Sequence, residues 1–369
     1  MELIIITFKA KNYTVIFCSL LVFVLFFTNA ENAISSIKSS FLFCVNSLIP
    51  SIFIFMVISS FILYASDFSA FYTHISNRAE NILGICRKYI FTVFLCSICG
   101  FVNGPKAIAE DYRKNGGNDE DFSNAVILSS NAGIGFLVGC VGSKIWGDNL
   151  FGIYLFFIQI TSSILLGKLL LKSNKFKSVE FSLNLEKAKA PSLSSAFSKA
   201  VTSSAYTIIS ISAFVIVFSC FLSVFCTSLR IPKDSMPYAI FTLIFEFCQG
   251  SFESTSFQSI YACAFATGFC FGFGGLCVHF QTFAVCEGLP LNKFKFIFFK
   301  FFHGIVCGLC SLAYVSVAKI EPLHSTLNIL QIGINPSPSL TLIVIFAMII
   351  AVKYFFKYFL KVSIDFLEK

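Results

Sequence analysis

The stretch CGFVNGPKAIAEDYRKNGG, Cys99–Gly117, interrupts an apolar segment with a glycine, a proline and a lysine. The apolar run 89–105 ends at Gly104-Pro105, and Lys106 follows at once. If this run lies in a membrane, a break frees backbone N–H and C=O groups that lipid cannot satisfy. The helix that starts after a break presents free N–H groups and a partial positive charge, to which Lys106 adds a full charge. The stretch therefore predicts a broken membrane segment whose break suits an anion; the alternative is a loop turn from which Lys106 reaches the headgroups.

The composition of the whole chain indicates a polytopic helical membrane protein. Of its 369 residues, 56% are hydrophobic and only 12% are charged, and the mean hydropathy is +0.83. A soluble domain carries about twice that share of charged residues. The net charge of +8 fits cytoplasmic loops beside anionic lipid, and no basic stretch is interleaved with aromatic residues as nucleic-acid binding would require. We therefore expect a lipid bilayer as a partner, and no nucleic acid.

The sequence carries none of the common catalytic or metal-binding motifs. It has no H-E-x-x-H, no G-x-S-x-G and no phosphate-binding G-x-x-x-x-G-K-[ST] motif. Most of the fifteen cysteines lie in apolar runs, where cysteine acts as a small hydrophobic residue. The two C-x-x-C pairs, Cys96/Cys99 and Cys307/Cys310, have no carboxylate nearby to support a zinc site. We expect neither an enzyme nor a metal or cofactor site.

Ten apolar segments are predicted: 13–30, 41–65, 89–105, 123–142, 149–171, 203–229, 238–250, 259–285, 294–318 and 339–361. A full membrane span needs roughly 20 residues, so 89–105 and 238–250 are short. Lysines place the connection 168–199 and both termini on the cytoplasmic side by the positive-inside rule. This arrangement requires that the two short segments each enter and leave by one face.

The two short segments resemble each other. FTVFLCSICG (91–100) and FTLIFEFCQG (241–250) share Phe, Thr and Gly at one offset. We predict an all-α polytopic membrane protein built from two inverted repeats with broken, re-entrant helices, which is typical of transporters with a binding site at the breaks. The predicted divisions are a first transmembrane helix at 1–32, for which a signal anchor is the alternative, a first repeat at 33–172, a basic cytoplasmic linker at 173–192, a second repeat at 193–318, and a loop with a final helix at 319–369.

Polar residues inside the apolar segments are the candidates for substrate contacts. Glu246 lies in the second short segment, and a carboxylate at mid-membrane costs roughly 2.5–3.5 kcal/mol on insertion scales. We expect it to face the interior and to pair with Lys106, with a coupling proton or cation, or with a substrate donor; the alternative is a position near an interface. His279 is either a site residue or only a packed hydrogen-bonding group, and we expect the latter for His303. The predicted substrate-binding residues are Asn103, Gly104, Lys106, Asn131, Gly133, Glu246, Gln249, Gly250, Gly274, Gly275, His279 and Gln281.

Five blocks together resemble the YlbJ/SpoVV family of sporulation integral membrane proteins, within the nucleoside-recognition Gate superfamily. The family patterns G-Y-P-x-G-A-K and N-N-A-G-P-x-F are similar to 100–106 and 130–136, and E-x-x-x-G to 246–250. The pattern G-G-L-S-V-H-x-Q is similar to GGLCVHFQ at 274–281, and R-L-L-H to 300–303. Proline stands at position 105 instead of 102, and isoleucine replaces the family's proline at position 134.

The resemblance implies a Gate-type fold and a role in endospore formation. For one branch of the family it implies that dipicolinate, a small aromatic dicarboxylate, crosses the outer forespore membrane. We therefore expect a transporter of a small organic anion, most of all dipicolinate, in the cell membrane or outer forespore membrane, with both termini on the mother-cell side. A homo-oligomer and a monomer both stay open. The alternatives are a carrier of a nucleoside or another neutral solute, and a non-transporting assembly protein of the sporulation membrane.

Overall fold

The computed structural model describes residues 22–65, 85–171 and 192–323, together with Ile16, Ser19, Leu20, Glu80 and Leu83. Within these ranges the chain is helical and contains no strand. Of the predicted first helix at 1–32, residues 22–28 and the isolated Ile16, Ser19 and Leu20 are helical, Asn29 is a turn, and 30–32 already belong to the next helix, which begins at Ala30. The predicted linker 173–192, apart from Ser192, and the predicted final helix at 339–361 lie outside the described residues.

The part of the chain before the linker forms one long helix, then two interrupted elements that each consist of two consecutive helices, and then a closing helix. The long helix α1 contains a π-helical turn at Cys44–Leu48. The elements are α1 (Ala30–Ala65), α2 (Arg87–Cys99), α3 (Asn103–Asn115), α4 (Asp119–Ser129), α5 (134–146, of which Leu137–Trp146 is π-helical) and α6 (Asn149–Leu170).

The part after the linker has the same order of elements. It starts with a helix of 36 residues, the same length as α1. The elements are α7 (Leu193–Ser228), α8 (Met236–Phe245), α9 (Phe247–Glu253), α10 (Ile260–Phe273), α11 (Gly275–Val285) and α12 (Lys293–Ala318).

Six stretches in the described ranges are long and apolar enough to cross a membrane, three on each side of the linker. They are Ala30–Ala65, Asp119–Trp146, Asn149–Leu170, Leu193–Ser228, Ile260–Val285 and Lys293–Ala318. These stretches are consistent with the predicted multi-pass membrane protein. The two predicted short segments fall instead on α2–α3 and on α8–α9, whose pieces are too short to span.

The two longest helices, α1 and α7, pack side by side in opposite directions. At one end, Asn29 before α1 donates a 3.2 Å hydrogen bond to Ser228, the last residue of α7. At the other end, the Tyr64 hydroxyl near the end of α1 donates a 3.2 Å hydrogen bond to Ser203 near the start of α7. The pair is therefore antiparallel along its whole length.

The closing helices α6 and α12 also pack in opposite directions. The Tyr154 hydroxyl donates a 2.8 Å hydrogen bond to the Cys310 carbonyl, and the Tyr314 hydroxyl donates a 2.9 Å bond to the Asp148 carboxylate at the start of α6. These half-buried tyrosines present apolar rings to the helices and find acceptors for their hydroxyl groups.

Glycines bring α10 and α12 into backbone contact. Each helix contributes one G-x-x-x-G motif: Gly272 of α10 faces Gly304 of α12, Gly268 abuts the Cys307 backbone, and Gly308 abuts Phe265. A methyl group on Gly272 would lie 2.6 Å from the Gly304 Cα atom. Small residues at this spacing allow two helices to pack closely. Such packing commonly drives helix association in a membrane, because lipid is as apolar as the side chains and burying them away from lipid gains no hydrophobic free energy.

Four interruptions divide helices, at 100–102, at 130–133, at Glu246 and at Gly274. Both predicted breaks are close to an observed one but displaced. Gly104 and Pro105 lie in the first turn of α3, where proline is tolerated because its missing N–H would be unpaired anyway. Gly250 lies inside α9, and the chain breaks four residues earlier at Glu246.

The other two interruptions fall in segments predicted as continuous, 123–142 and 259–285. At the first, α4 ends at Ser129 and the chain is extended at Gly133. At the second, Gly274 has a φ of 83° and ends α10 in the left-handed conformation that glycine adopts without strain. The segment 259–285 stays apolar across Gly274, so its hydropathy gave no signal for the interruption. The segment 123–142 carries Ser129, Ser130 and Asn131 at its interruption, but its mean hydropathy is high enough to predict one continuous span.

The glycine contact between α10 and α12 can be tested by adding one methyl group. Gly272→Ala places that group against the Gly304 backbone, and we expect overpacking to destabilise the protein by about 1–3 kcal/mol. Gly139→Ala is the matched control, because a methyl group there meets nothing within 4 Å. The measurement is the thermal unfolding temperature in detergent; an unchanged temperature for Gly272→Ala would show that the helices are further apart than described.

Candidate functional site

The four interruptions lie against one another. The first meets the second at Gly133, where a methyl group would lie 3.1 Å from the Gly100 nitrogen. The third meets the fourth at Gly275, where a methyl group would lie 3.1 Å from the Phe247 nitrogen. The first meets the third through the rings of Phe101 and Phe247, whose centroids are 4.9 Å apart. The two halves of the chain therefore meet at their breaks.

A cavity of about 40 Å³ lies where the interruptions meet. At ~10–15 Å³ for each water position, it has room for about three water molecules. Its polar side chains are Asn103, Glu246 and Gln281, and Gly133 contributes backbone. Its apolar walls come from both long helices and from three phenylalanines, by residue Leu48, Ile52, Met56, Phe101, Phe136, Ile211, Val215, Phe247 and Val278. We call this space the central cavity.

Glu246 is fully buried and caps the helix that starts after it. Its carboxylate oxygens accept hydrogen bonds from the backbone nitrogens of Cys248, at 2.8 Å, and of Gln249, at 2.6 Å. A carboxylate at the positive end of a helix dipole is stabilised there, which explains how a buried charge is tolerated. The predicted interior position is thus observed, whereas the Glu246–Lys106 pair, one of the predicted alternatives, is not formed in the described ranges.

The second interruption is held by side chains that the sequence analysis did not select. The Gln159 amide pairs with the Ala132 backbone, accepting from its N–H at 3.0 Å and donating to its carbonyl at 2.5 Å. Lys300 is 1% exposed, and its ammonium donates to the carbonyl of Ser130 just past the end of α4. A cation there complements the negative end of the α4 dipole. The ring nitrogens of His303 face the carbonyls of Gln159 and Gly272, so it packs by hydrogen bonding, as expected.

Lys106 does not line the central cavity. Its ammonium donates three hydrogen bonds to α7: to the Ser203 carbonyl at 3.2 Å, to the Ser203 hydroxyl at 2.8 Å and to the Thr207 hydroxyl at 2.7 Å. The lysine thus connects a broken element of the first half to the long helix of the second.

Asn131 and His279 lie close to the interruptions but outside the central cavity. Asn131 donates to the Ser97 hydroxyl at 3.2 Å and to the Leu128 carbonyl at 2.7 Å, and it lines a second, smaller cavity. The His279 Nε2 atom lies 2.9 Å from the Phe273 carbonyl, the last of α10. Both side chains therefore satisfy backbone groups near an interruption.

The remaining predicted site residues contribute packing. Gly104 abuts Ser129, and Gly250 abuts Leu243. Gln249 points away from the central cavity and donates a 3.2 Å hydrogen bond to Ser40 of α1. Of the twelve predicted residues, the structure places Asn103, Gly133, Glu246 and Gln281 on the central cavity.

The phenylalanines at the interruptions were not predicted as site residues. Phe247 is in ring contact with Phe101, Phe136 and Phe271, with centroid distances between 4.9 and 5.5 Å. Phe101 lies within the first interruption, and Phe247 directly follows the third. That position was the available signal, but 49 phenylalanines in the chain obscured it.

Comparisons with family models, curated proteins and solved structures find no match to this chain. The similarity to the YlbJ/SpoVV family rests on the motifs in the sequence and stays a prediction.

The capping role of Glu246 predicts a graded loss of stability. Glu246→Ala leaves the N–H groups of Cys248 and Gln249 unpaired, and we expect it to lower the free energy of unfolding by about 1–3 kcal/mol. Glu246→Gln keeps an acceptor oxygen and should lose less. The measurement is thermal unfolding in detergent, with the exposed Glu287→Ala as control. Equal unfolding temperatures for wild type and Glu246→Ala would contradict the cap.

Proposed function

We propose that this chain is a membrane transporter that binds a small polar solute in the central cavity. The observation that carries the proposal is that three helix interruptions, and the helix that begins after the fourth, line one cavity, with elements from both halves of the chain. Irregular backbone at membrane depth is tolerated where it is buried in protein or lines a cavity, and secondary transporters place their binding sites at such breaks.

The order and direction of the helices support an inverted repeat. Each half runs from a 36-residue helix through two interrupted elements to a long closing helix. The first members, α1 and α7, are antiparallel, and so are the last members, α6 and α12. Two repeats of opposite orientation produce this relation, and they allow one half to rock against the other around a fixed site.

The lining of the central cavity favours a neutral solute over an organic anion. The described lining residues include the carboxylate of Glu246 but no lysine, arginine or histidine. A dianion such as dipicolinate would meet a negative charge there, whereas hydroxyl and amine donors would find acceptors on Glu246, Asn103 and Gln281. The neighbouring phenylalanine rings suit a flat heterocycle. The geometry thus supports the nucleoside alternative, while dipicolinate and the forespore membrane rest on the family resemblance alone.

Uptake by the purified protein in liposomes tests the proposal. We expect uptake of labelled nucleosides to exceed that of labelled dipicolinate. Gln281→Leu should reduce uptake about tenfold, because a solute group left without its partner costs ~1–3 kcal/mol. Gln249→Leu is the matched control, since this second glutamine lies off the cavity.

Each contrary result has a distinct meaning. Preferential uptake of dipicolinate would restore the anion prediction. Equal loss in both glutamine variants would contradict the central cavity as the binding site. A protein that folds normally but moves neither solute class would favour the assembly role.

The lysine distribution predicts which side of the membrane holds the linker between the two halves. A cysteine introduced at position 180, within the predicted linker 173–192, should react with an impermeant thiol reagent from the cytoplasmic side because lysine-rich loops stay inside. Reaction only from the outer side would contradict the proposed topology.

A further inference from the structure

Three elements that line the central cavity come together a second time, at the end of the bundle where α1 ends and α7 begins. There the Lys106 ammonium of α3 bonds Ser203 and Thr207 of α7 through three hydrogen bonds of 2.7–3.2 Å. The Tyr64 hydroxyl of α1 bonds the Ser203 hydroxyl at 3.2 Å and the Glu110 carboxylate of α3 at 3.4 Å. We call Tyr64, Lys106, Ser203 and Thr207 the latch.

The latch lies directly beyond the cavity on all three elements. Asn103, Met56 and Ile211 line the cavity on α3, α1 and α7. At 1.5 Å per residue, Lys106 starts about 5 Å further along α3, Tyr64 about 12 Å further along α1, and Thr207 about 6 Å back along α7. Because α1 and α7 are antiparallel, these three paths leave the cavity in the same direction.

The seam between the latch and the cavity is unusually polar for two apolar helices. Ser60 of α1 and Ser204 of α7 lie 3.4 Å apart between their hydroxyl oxygens, and the neighbouring Ser59 is buried with its hydroxyl bonded to the Met56 carbonyl. Hydroxyl groups along a seam can be hydrated when the helices separate. A seam of leucine and valine would expose only apolar surface to the same water.

The latch bonds are suited to opening and closing. All three acceptors of Lys106 are uncharged oxygens, so water can replace them without leaving an unpaired carboxylate behind. The bonds also join an interrupted element of the first half to the long helix of the second half. Movement of one half against the other must therefore break them.

We propose that the latch closes the path between the central cavity and the end of the bundle nearest the linker, with Lys106 as its principal contact. This inference rests on the proposed transport function, because closing the path matters only if a solute uses it. The latch contacts themselves do not depend on which solute the cavity binds. The structure then represents a state closed at this end. Lys106 acts on access to the cavity and not as the charge that holds the solute.

The experiment measures access to cysteines that are native to the cavity. Cys99, Cys248 and Cys277 line it, whereas Cys310 is buried between α6 and α12 and reports general loosening. Inside-out vesicles carrying the full chain are treated with a small impermeant thiosulfonate reagent, and the modification of each cysteine is followed by mass spectrometry. We expect Lys106→Met to raise the modification rate of the cavity cysteines about tenfold, with Cys310 unchanged.

Matched variants separate the latch from a purely structural role. Lys106→Arg keeps the charge with altered geometry and should raise the rate less. Tyr64→Phe removes one hydroxyl and tests the same closure if Lys106→Met fails to fold. Lys168→Met, at the exposed end of α6, should change nothing.

An unchanged rate at the cavity cysteines in both Lys106→Met and Tyr64→Phe would overturn the latch, as would a rate that rises equally at Cys310. Solute uptake is measured separately on the same variants. A chain that transports neither solute class but shows the predicted change in cysteine access would contradict the transport function while leaving the latch intact.

Discussion

This fold depends on one constraint: the backbone N–H and C=O groups that are freed at four helix interruptions must find hydrogen-bond partners inside the protein. An unpaired N–H or C=O group costs several kcal/mol in lipid, and an interruption frees several of them. The chain supplies side chains for this purpose from other elements or from the interruption itself. Glu246 caps the third interruption, Gln159 and Lys300 bond the second, and His279 faces the last carbonyl before the fourth.

The same constraint explains why charges are buried in an apolar bundle. Glu246 lies at the positive end of α9 and Lys300 at the negative end of α4. Each charge is therefore paired with a helix terminus of opposite sign and needs no ion-pair partner. The helix after the first interruption, α3, begins without a capping side chain, as α5 and α11 also do, and its first residue, Asn103, borders the central cavity. Backbone groups left open at that point are available to a bound solute.

Hydropathy and lysine distribution predicted the helical class, six of the long segments and the two short ones. Glu246 was identified because a carboxylate in an apolar run is rare, and its burial is observed. The exact breaks were missed by four residues or fewer, because Gly104, Pro105 and Gly250 fit inside the first turns of helices.

The interruptions at 130–133 and Gly274 were not predicted. The run around Gly274 is apolar on both sides, and the three polar residues 129–131 were interpreted as lying inside one long apolar segment, with Asn131 as a site residue. Hydrogen-bond partners that lie far apart in the sequence could not be predicted either. The bonds of Lys106 with Ser203, and of Lys300 with Ser130, join residues 97 and 170 positions apart, and only the packing of the halves brings them together. A lysine beside a helix start suggested an anion site, whereas tertiary structure directs that side chain to α7.

The central claim is that the solute binds where the interruptions converge. The most direct test is an experimental structure of the purified protein with its transported solute bound. The account predicts solute density between Glu246, Asn103 and Gln281, flanked by Phe101 and Phe247, in a cavity wider than the 40 Å³ seen here. Solute density elsewhere in the bundle, with the central cavity still closed around the same residues, would contradict it.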